Sequence, residues 1–256
     1  MNHYMMIFMR KTVFLALACG MCAAVCSAAP KDDVLAAAKK LAQKDNYSWT
    51  AAMEVAGANF NMSPLQGKTE KDGFTVLTRE FNETTSTAVL KGEKGVIKTE
   101  EGWKTADELA PPQGGGGGGG GARGGMMGRM LLRTRTPAAE VESLLEKVKE
   151  IKAGEAGMFT AEITEAGAKE LISFGGRRPG ATQNQNRPEP KNAKASAKFC
   201  VKDGILTQYE LRVQGTITFG QDQQEREMDR TTKVEIKEIG TTKVSVPEEA
   251  KKKLSS

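Results

Sequence analysis

The stretch Ala197-Lys198-Phe199-Cys200-Val201-Lys202-Asp203-Gly204-Ile205-Leu206-Thr207-Gln208-Tyr209-Glu210-Leu211-Arg212-Val213 decides how the chain is read. Ala197, Phe199 and Val201 alternate with Lys198, Cys200 and Lys202, the two-residue period of a half-buried strand. Asp203-Gly204 supplies the positive backbone angles of a tight hairpin. The return strand carries Ile205, Thr207, Tyr209, Leu211 and Val213 on one face and Gln208, Glu210, Arg212 and Gln214 on the other. Gly215 permits a bend or bulge before Thr216-Ile217-Thr218-Phe219. Met228, Thr232, Val234 and Ile236 then share a face opposite Lys233, Glu235 and Lys237. One-sided alternation in successive strands predicts an antiparallel sheet with one face covered.

Earlier segments extend this pattern. Tyr47 to Val55 has apolar side chains at odd positions and small or polar ones at even positions. Asp72-Gly73 reads as a hairpin turn, after which Phe74, Val76 and Thr78 alternate with Thr75, Leu77 and Arg79. Thr84 to Lys91, Val96 to Thr99 and a short piece opened by Trp103 complete a meander. Helices are expected at four sites. Asp32 and Asp33 can cap one running to about Lys44, with Val34, Ala37, Ala38, Leu41 and Ala42 near one face. Pro137 starts a second, on which Val141, Leu144, Leu145, Val148 and Ile151 recur at three- and four-residue steps. Thr164 caps a short third. Phe159, Ala161 and Ile163 read as a short strand, and Pro247 opens a terminal helix over Glu248 to Leu254.

The first 28 residues read as a signal peptide. Arg10 and Lys11 precede an apolar run from Thr12 to Val25, and small residues follow at Ser27, Ala28 and Ala29. The run falls short of the roughly 20 residues of a membrane-spanning helix. Ala16-Leu17-Ala18-Cys19 is an imperfect lipobox, its Leu displaced by one place, so cleavage without lipid is the expectation. The protein is therefore expected to be exported, to the periplasm or beyond. Removal of this segment takes with it His3, the single histidine of the chain, and three of its four cysteines, leaving Cys200. Without them no His base can activate a nucleophile, no imidazole can hold zinc and no internal disulfide can close. Neither catalysis nor a bound metal or other cofactor is expected. The remaining chain has 35 basic and 32 acidic residues, too small an excess to point to nucleic acid, and none is expected as a partner.

Two polar stretches interrupt the pattern. Eight glycines, Gly114 to Gly121, offer no side chain to bury and lose much backbone entropy on ordering. They are no P-loop, since no Gly-Lys-Ser/Thr follows. The second stretch is rich in Arg, Pro and Asn. Flexible insertions are expected at about 112–130 and 175–195, within one β-rich domain over 29–256.

The order helix, meander, helices, meander, short helix resembles that of the LolA/LppX-like group of bacterial lipoprotein carriers. The resemblance is carried by the hairpin from Phe199 to Val213 and the ending Val244 to Leu254, with Val246-Pro247-Glu248-Glu249-Ala250. It implies an α+β fold in which a curved, half-barrel-like antiparallel sheet holds helices on its concave face. It also implies a non-enzymatic carrier for an acyl chain or lipoprotein. Trp49, Met53, Phe74, Val76, Tyr209, Leu211 and Val213 would then converge on one apolar surface, incompletely covered by the helix bearing Leu144 and Val148. The alternative is a structural or interaction protein of the envelope with the same sheet and a filled core. In it Trp49, Trp103 and Tyr209 are core anchors, the common lot of buried aromatics. Arg123, Arg129 and Arg133 among glycines suit an anionic envelope surface or a solvated loop. Met126, Met127 and Met130 lack the His or Cys that would make them a soft-metal site.

Overall fold

The computed structural model describes residues 29–57, 62–81, 84–109, 128–173, 189–219 and 224–255. The signal segment, the glycine run, Arg123, Met126 and Met127 lie outside them. Eleven strands form one antiparallel sheet: β1 (Asn46–Val55), β2 (Leu65–Glu70), β3 (Thr75–Phe81), β4 (Thr84–Lys91), β5 (Lys94–Thr99), β6 (Gly102–Thr105), β7 (Val148–Ala153), β8 (Met158–Ile163), β9 (Lys191–Lys202), β10 (Ile205–Phe219) and β11 (Gln224–Lys237). Their order is β6-β5-β4-β3-β2-β1-β11-β10-β9-β8-β7, so two meanders meet where the first strand pairs with the last. The sheet is open, with β6 and β7 as its edges. Strand β9 opens at Lys191, inside the stretch read as a loop to 195. The helices are α1 (Pro30–Ala42), α2 (Pro137–Glu146), α3 (Glu165–Ile172) and α4 (Glu248–Ser255), with a further helical turn at 128–132. No helix among the described residues is long and apolar enough to cross a membrane.

Local chemistry explains the elements. Asp203 and Gly204 both have positive φ, 53° and 69°, as a two-residue hairpin turn requires. The hydroxyls of Thr136 and Thr164 accept from the backbone N–H of Ala139 and Gly167, capping α2 and α3. Helix α1 begins with Pro30, so Asp32 and Asp33 lie in its first turn, favourable to the helix dipole, rather than at the cap.

The two faces of the sheet differ. On the inner face, α1 packs on β7, β9 and β10 and against α2, while α3 packs on β9 and β10. Val34, Leu41, Leu144, Leu145, Phe199, Tyr209, Leu211 and Val213 belong to this main core. The outer face of β9–β11 and β1 is a charged ladder, including Lys198–Glu210, Arg212–Asp229 and Lys233–Glu54. The outer face of β3–β6 is instead apolar: Val89 and Val96 are fully buried, with Ala250 and Leu254 of α4 over them.

Two bulges change the expected faces. Val148 pairs with Ile163 and Glu150 with Glu162, so Lys149 is an extra residue and Val148 and Ile151 share a face of β7. A bulged strand thus imitates the three-residue step of a helix. Helix α2 ends at Glu146, and the expectation that it carries Val148 and Ile151 is corrected. In β10, Leu206 pairs with Val201 and Gln208 with Cys200, which leaves Thr207 unopposed and turns Leu206 inward to full burial. Plain alternation had assigned that face to Thr207.

Candidate functional site

The inner face of β1–β5 is built by register. Trp49 pairs with Gly67, which pairs with Leu77, which pairs with Ala88, which pairs with Ile97. The Trp49 indole lies on Gly67, where a Cβ would come within 2.0 Å of Cε2. Its Nε1–H donates to Thr69 Oγ1 at 3.2 Å, and the Thr75 hydroxyl donates to the same oxygen at 3.3 Å. Leu65, Leu77, Ala88, Leu90 and Ile97 complete the strip, each 8% exposed or less. The close helix packing lies on the other half of the sheet. Over β4 and β5 the helical turn at 128–132 lies on the strip: Gly128 backs onto Ile97, Leu132 reaches Gly95, and Leu131 is buried. Arg129 is half-buried and anchors this turn by donating to the carbonyl of Leu109 at 2.7 Å. Arg133 is exposed.

A polar contact joins the two halves. The Tyr209 hydroxyl donates to Glu140 Oε2 at 2.6 Å, tying α2 to β10. Burial raises the Glu140 carboxyl above the usual carboxylate range, against the pull of the Tyr209 hydrogen bond and the charges of Arg135 and Arg230. Burial and the Glu140 charge hold the Tyr209 phenol well above its ordinary value. Arg230 donates to the Leu171 carbonyl at 3.1 Å, and burial lowers its proton affinity. The Tyr209 proton is committed to Glu140, so this pair fastens a helix and presents no activated nucleophile.

The structure brings Trp49, Leu144, Tyr209, Leu211 and Val213 into the main core, with Val148 packed against it. Met53 is half-buried and opposite Thr232 on β11. Phe74 and Val76 are separated from these and pack with the outer cluster under α4, as does Trp103. Strand β3 is covered on both sides, so apolar residues occur in both phases of its alternation. The inward phase is Thr75, Leu77 and Arg79. Leu77 and Arg79 were missed as site residues. The signal was the pair of small partners, Gly67 and Ala88, that flank Leu77 in register.

A shallow, open depression of about 480 Å³ lies on the outer face, lined by Glu54, Glu210, Arg212, Asp229 and Lys233 among others. Its charges are already paired, Arg212 with Asp229, Lys233 with Glu54 and Glu210 with Lys198 beside it. Among the described residues no group of three or more His, Cys, Asp or Glu side chains is placed to hold a metal ion. Cys200 is a free, half-buried thiol.

No protein-family model and no curated protein matches the sequence. Solved structures similar in fold include three that span most of this chain. The lipoprotein LppX of Mycobacterium tuberculosis aligns at a TM-score of 0.44 and 11% identity, over 85% of this chain and 98% of that one. LprF of Mycobacterium bovis aligns at 0.39 and 11%, over 86% and 97%. A LolA superfamily protein of Nitrosomonas europaea aligns at 0.34 and 6%, over 86% and 96%. Similarity this low bears on neither ligand nor partner.

Proposed function

We propose that this chain is a non-enzymatic binding domain of the cell envelope that holds an acyl chain, free or on a lipidated partner, against the inner face of β1–β5. The observation that carries the reading is the uneven cover of that face. Among the described residues, packed helices close the β7–β10 half, whereas over β4 and β5 the apolar strip lies under one helical turn. Shifting a single turn uncovers the strip at Ile97 and Gly95, next to Leu90, at far smaller cost than removing a helix. Each methylene buried there contributes about 0.8 kcal/mol. The envelope location rests on the charged, apolar and small-residue order of the first 28 residues.

One observation favours the structural alternative: the strip is already buried to 8% exposure or less, as in a filled core. Titration of the purified protein with a fluorescent fatty acid, beside a thermal melt, separates the two. Saturable binding at micromolar concentration supports the carrier. A cooperatively melting protein that binds no acyl ligand leaves the filled core.

A further inference from the structure

Arg79 is the least exposed charged side chain among the described residues, 8% exposed. Strand β3 turns it to the inner face with Thr75 and Leu77, and Ser86 lies opposite it on β4. It makes no hydrogen bond or ion pair with any described residue, and its Nε–H is buried without an acceptor. Arg129 and Arg230 share the orphaned Nε, but each has a terminal N–H donated to a carbonyl, and Arg212 is fully paired. Arg212 forks onto Asp229 at 3.0 and 2.6 Å, Arg129 donates to the Leu109 carbonyl and Arg230 to that of Leu171. Burial lowers the proton affinity of Arg79, and no acidic side chain among the described residues restores it. A buried cation without a counter-charge is costly, and a guanidinium stays charged regardless.

We propose that Arg79 receives the head of the bound amphiphile, and that the site selects a single-chain lipid ending in a carboxylate or phosphate. The inference rests on the acyl-binding reading above. The guanidinium fork matches either oxyanion bidentately. Leu77, Ala88 and Ile97 run in register across β3–β5 beside it, so a cationic head site adjoins an apolar track for the chain.

The test titrates the full protein with three probes of equal chain length: a fatty acid, an alkyl phosphate and the neutral alcohol. Wild type should bind the better anion roughly tenfold to a hundredfold more tightly than the alcohol, as expected for a charge-assisted, desolvated hydrogen-bonded pair. The tighter of the two anions identifies the head. Arg79→Met should lose that preference while keeping its affinity for the alcohol, and Arg79→Lys should keep part of it. The ligand-free Arg79→Met protein should melt no lower than wild type, since it loses an uncompensated charge. Equal affinity for alcohol and anions in wild type overturns the head-group role and leaves acyl binding standing. Failure to bind any of the three overturns both. A melting temperature several degrees lower in Arg79→Met would show that the chain itself supplies the partner of Arg79, and would also overturn the inference.

Discussion

The hydroxyl of Tyr209, on β10, donates to Glu140, on α2, across 2.6 Å and 69 residues of sequence. The Tyr209 side chain is 1% exposed and serves as a core aromatic for most of its length. Its polar tip is what fixes the helix. Tyr209→Phe keeps the ring and strips the buried carboxylate of its donor, so it should cost roughly 1–3 kcal/mol of stability in urea unfolding. Glu140→Gln, whose amide oxygen can still accept, should cost less.

The same pair sets a pH dependence. Glu140 has its folded proton affinity raised by burial, so the folded state binds this proton more tightly than the unfolded chain does. Its contribution to stability therefore grows as pH falls through the folded pKa. It is complete below the ordinary value of 4.5 and is lost again as pH rises. Glu108 behaves oppositely. Its hydrogen bond from Lys253, aided by the Thr105 backbone, lowers its pKa to about 2. That contribution is present above 4.5 and fades as pH falls toward about 2. Denaturation midpoints measured across this range should show the first trend vanish in Glu140→Gln and the second in Glu108→Gln.

Gly67 is set by its neighbour. A methyl there would meet three indole atoms of Trp49 at 2.0–2.5 Å. Gly67→Ala should destabilise by about 3 kcal/mol, the upper end of ordinary overpacking, and should disturb the indole hydrogen bond to Thr69. Chemical denaturation followed by Trp emission in a Trp103→Phe background would register both. An unchanged midpoint would mean that Trp49 is not stacked on this glycine.

The two tryptophans report on opposite faces of one sheet. Trp49 belongs to the inner core, and Trp103 packs with the cluster beneath α4. Leu254→Asp places a charge in that outer cluster and should detach α4. In single-tryptophan variants the emission of Trp103 should shift to the red, and that of Trp49 should stay in place. A shift in both would mean that the two clusters unfold as one.

Sequence pattern was informative where a strand is covered on one side only. The Asp203-Gly204 turn with the strand segments Tyr209 to Val213 and β1 was legible because polar and apolar residues separate cleanly, and Pro137 and Thr164 marked the starts of α2 and α3. Legibility failed where a bulge altered the count, at Lys149 and Thr207, since one inserted residue exchanges the faces on either side of it. It failed also on β3. The outer cover by α4 is made by residues about 170 positions later, and nothing local in Phe74 to Arg79 announces it. Arg79 read as a solvent-facing end of that alternation. Its burial depends on which phase of β3 turns inward, a choice made by Gly67 and Ala88 on neighbouring strands.

The junction of the two meanders carries a consequence for synthesis. Strand β1 pairs on one side with β2, close by in sequence, and on the other with β11, eight residues of it matched from Ser48 to Val55. Until residues 224–237 have been made, the flanks of β1 and β10 that will hold β11 are bare backbone, open to any other strand they meet. The last strand is the keystone. A chain arrested before it contains two separate half-sheets with adhesive borders, and a chain released with it closes both borders in a single event. Folding of the whole should therefore wait on completion of the polypeptide.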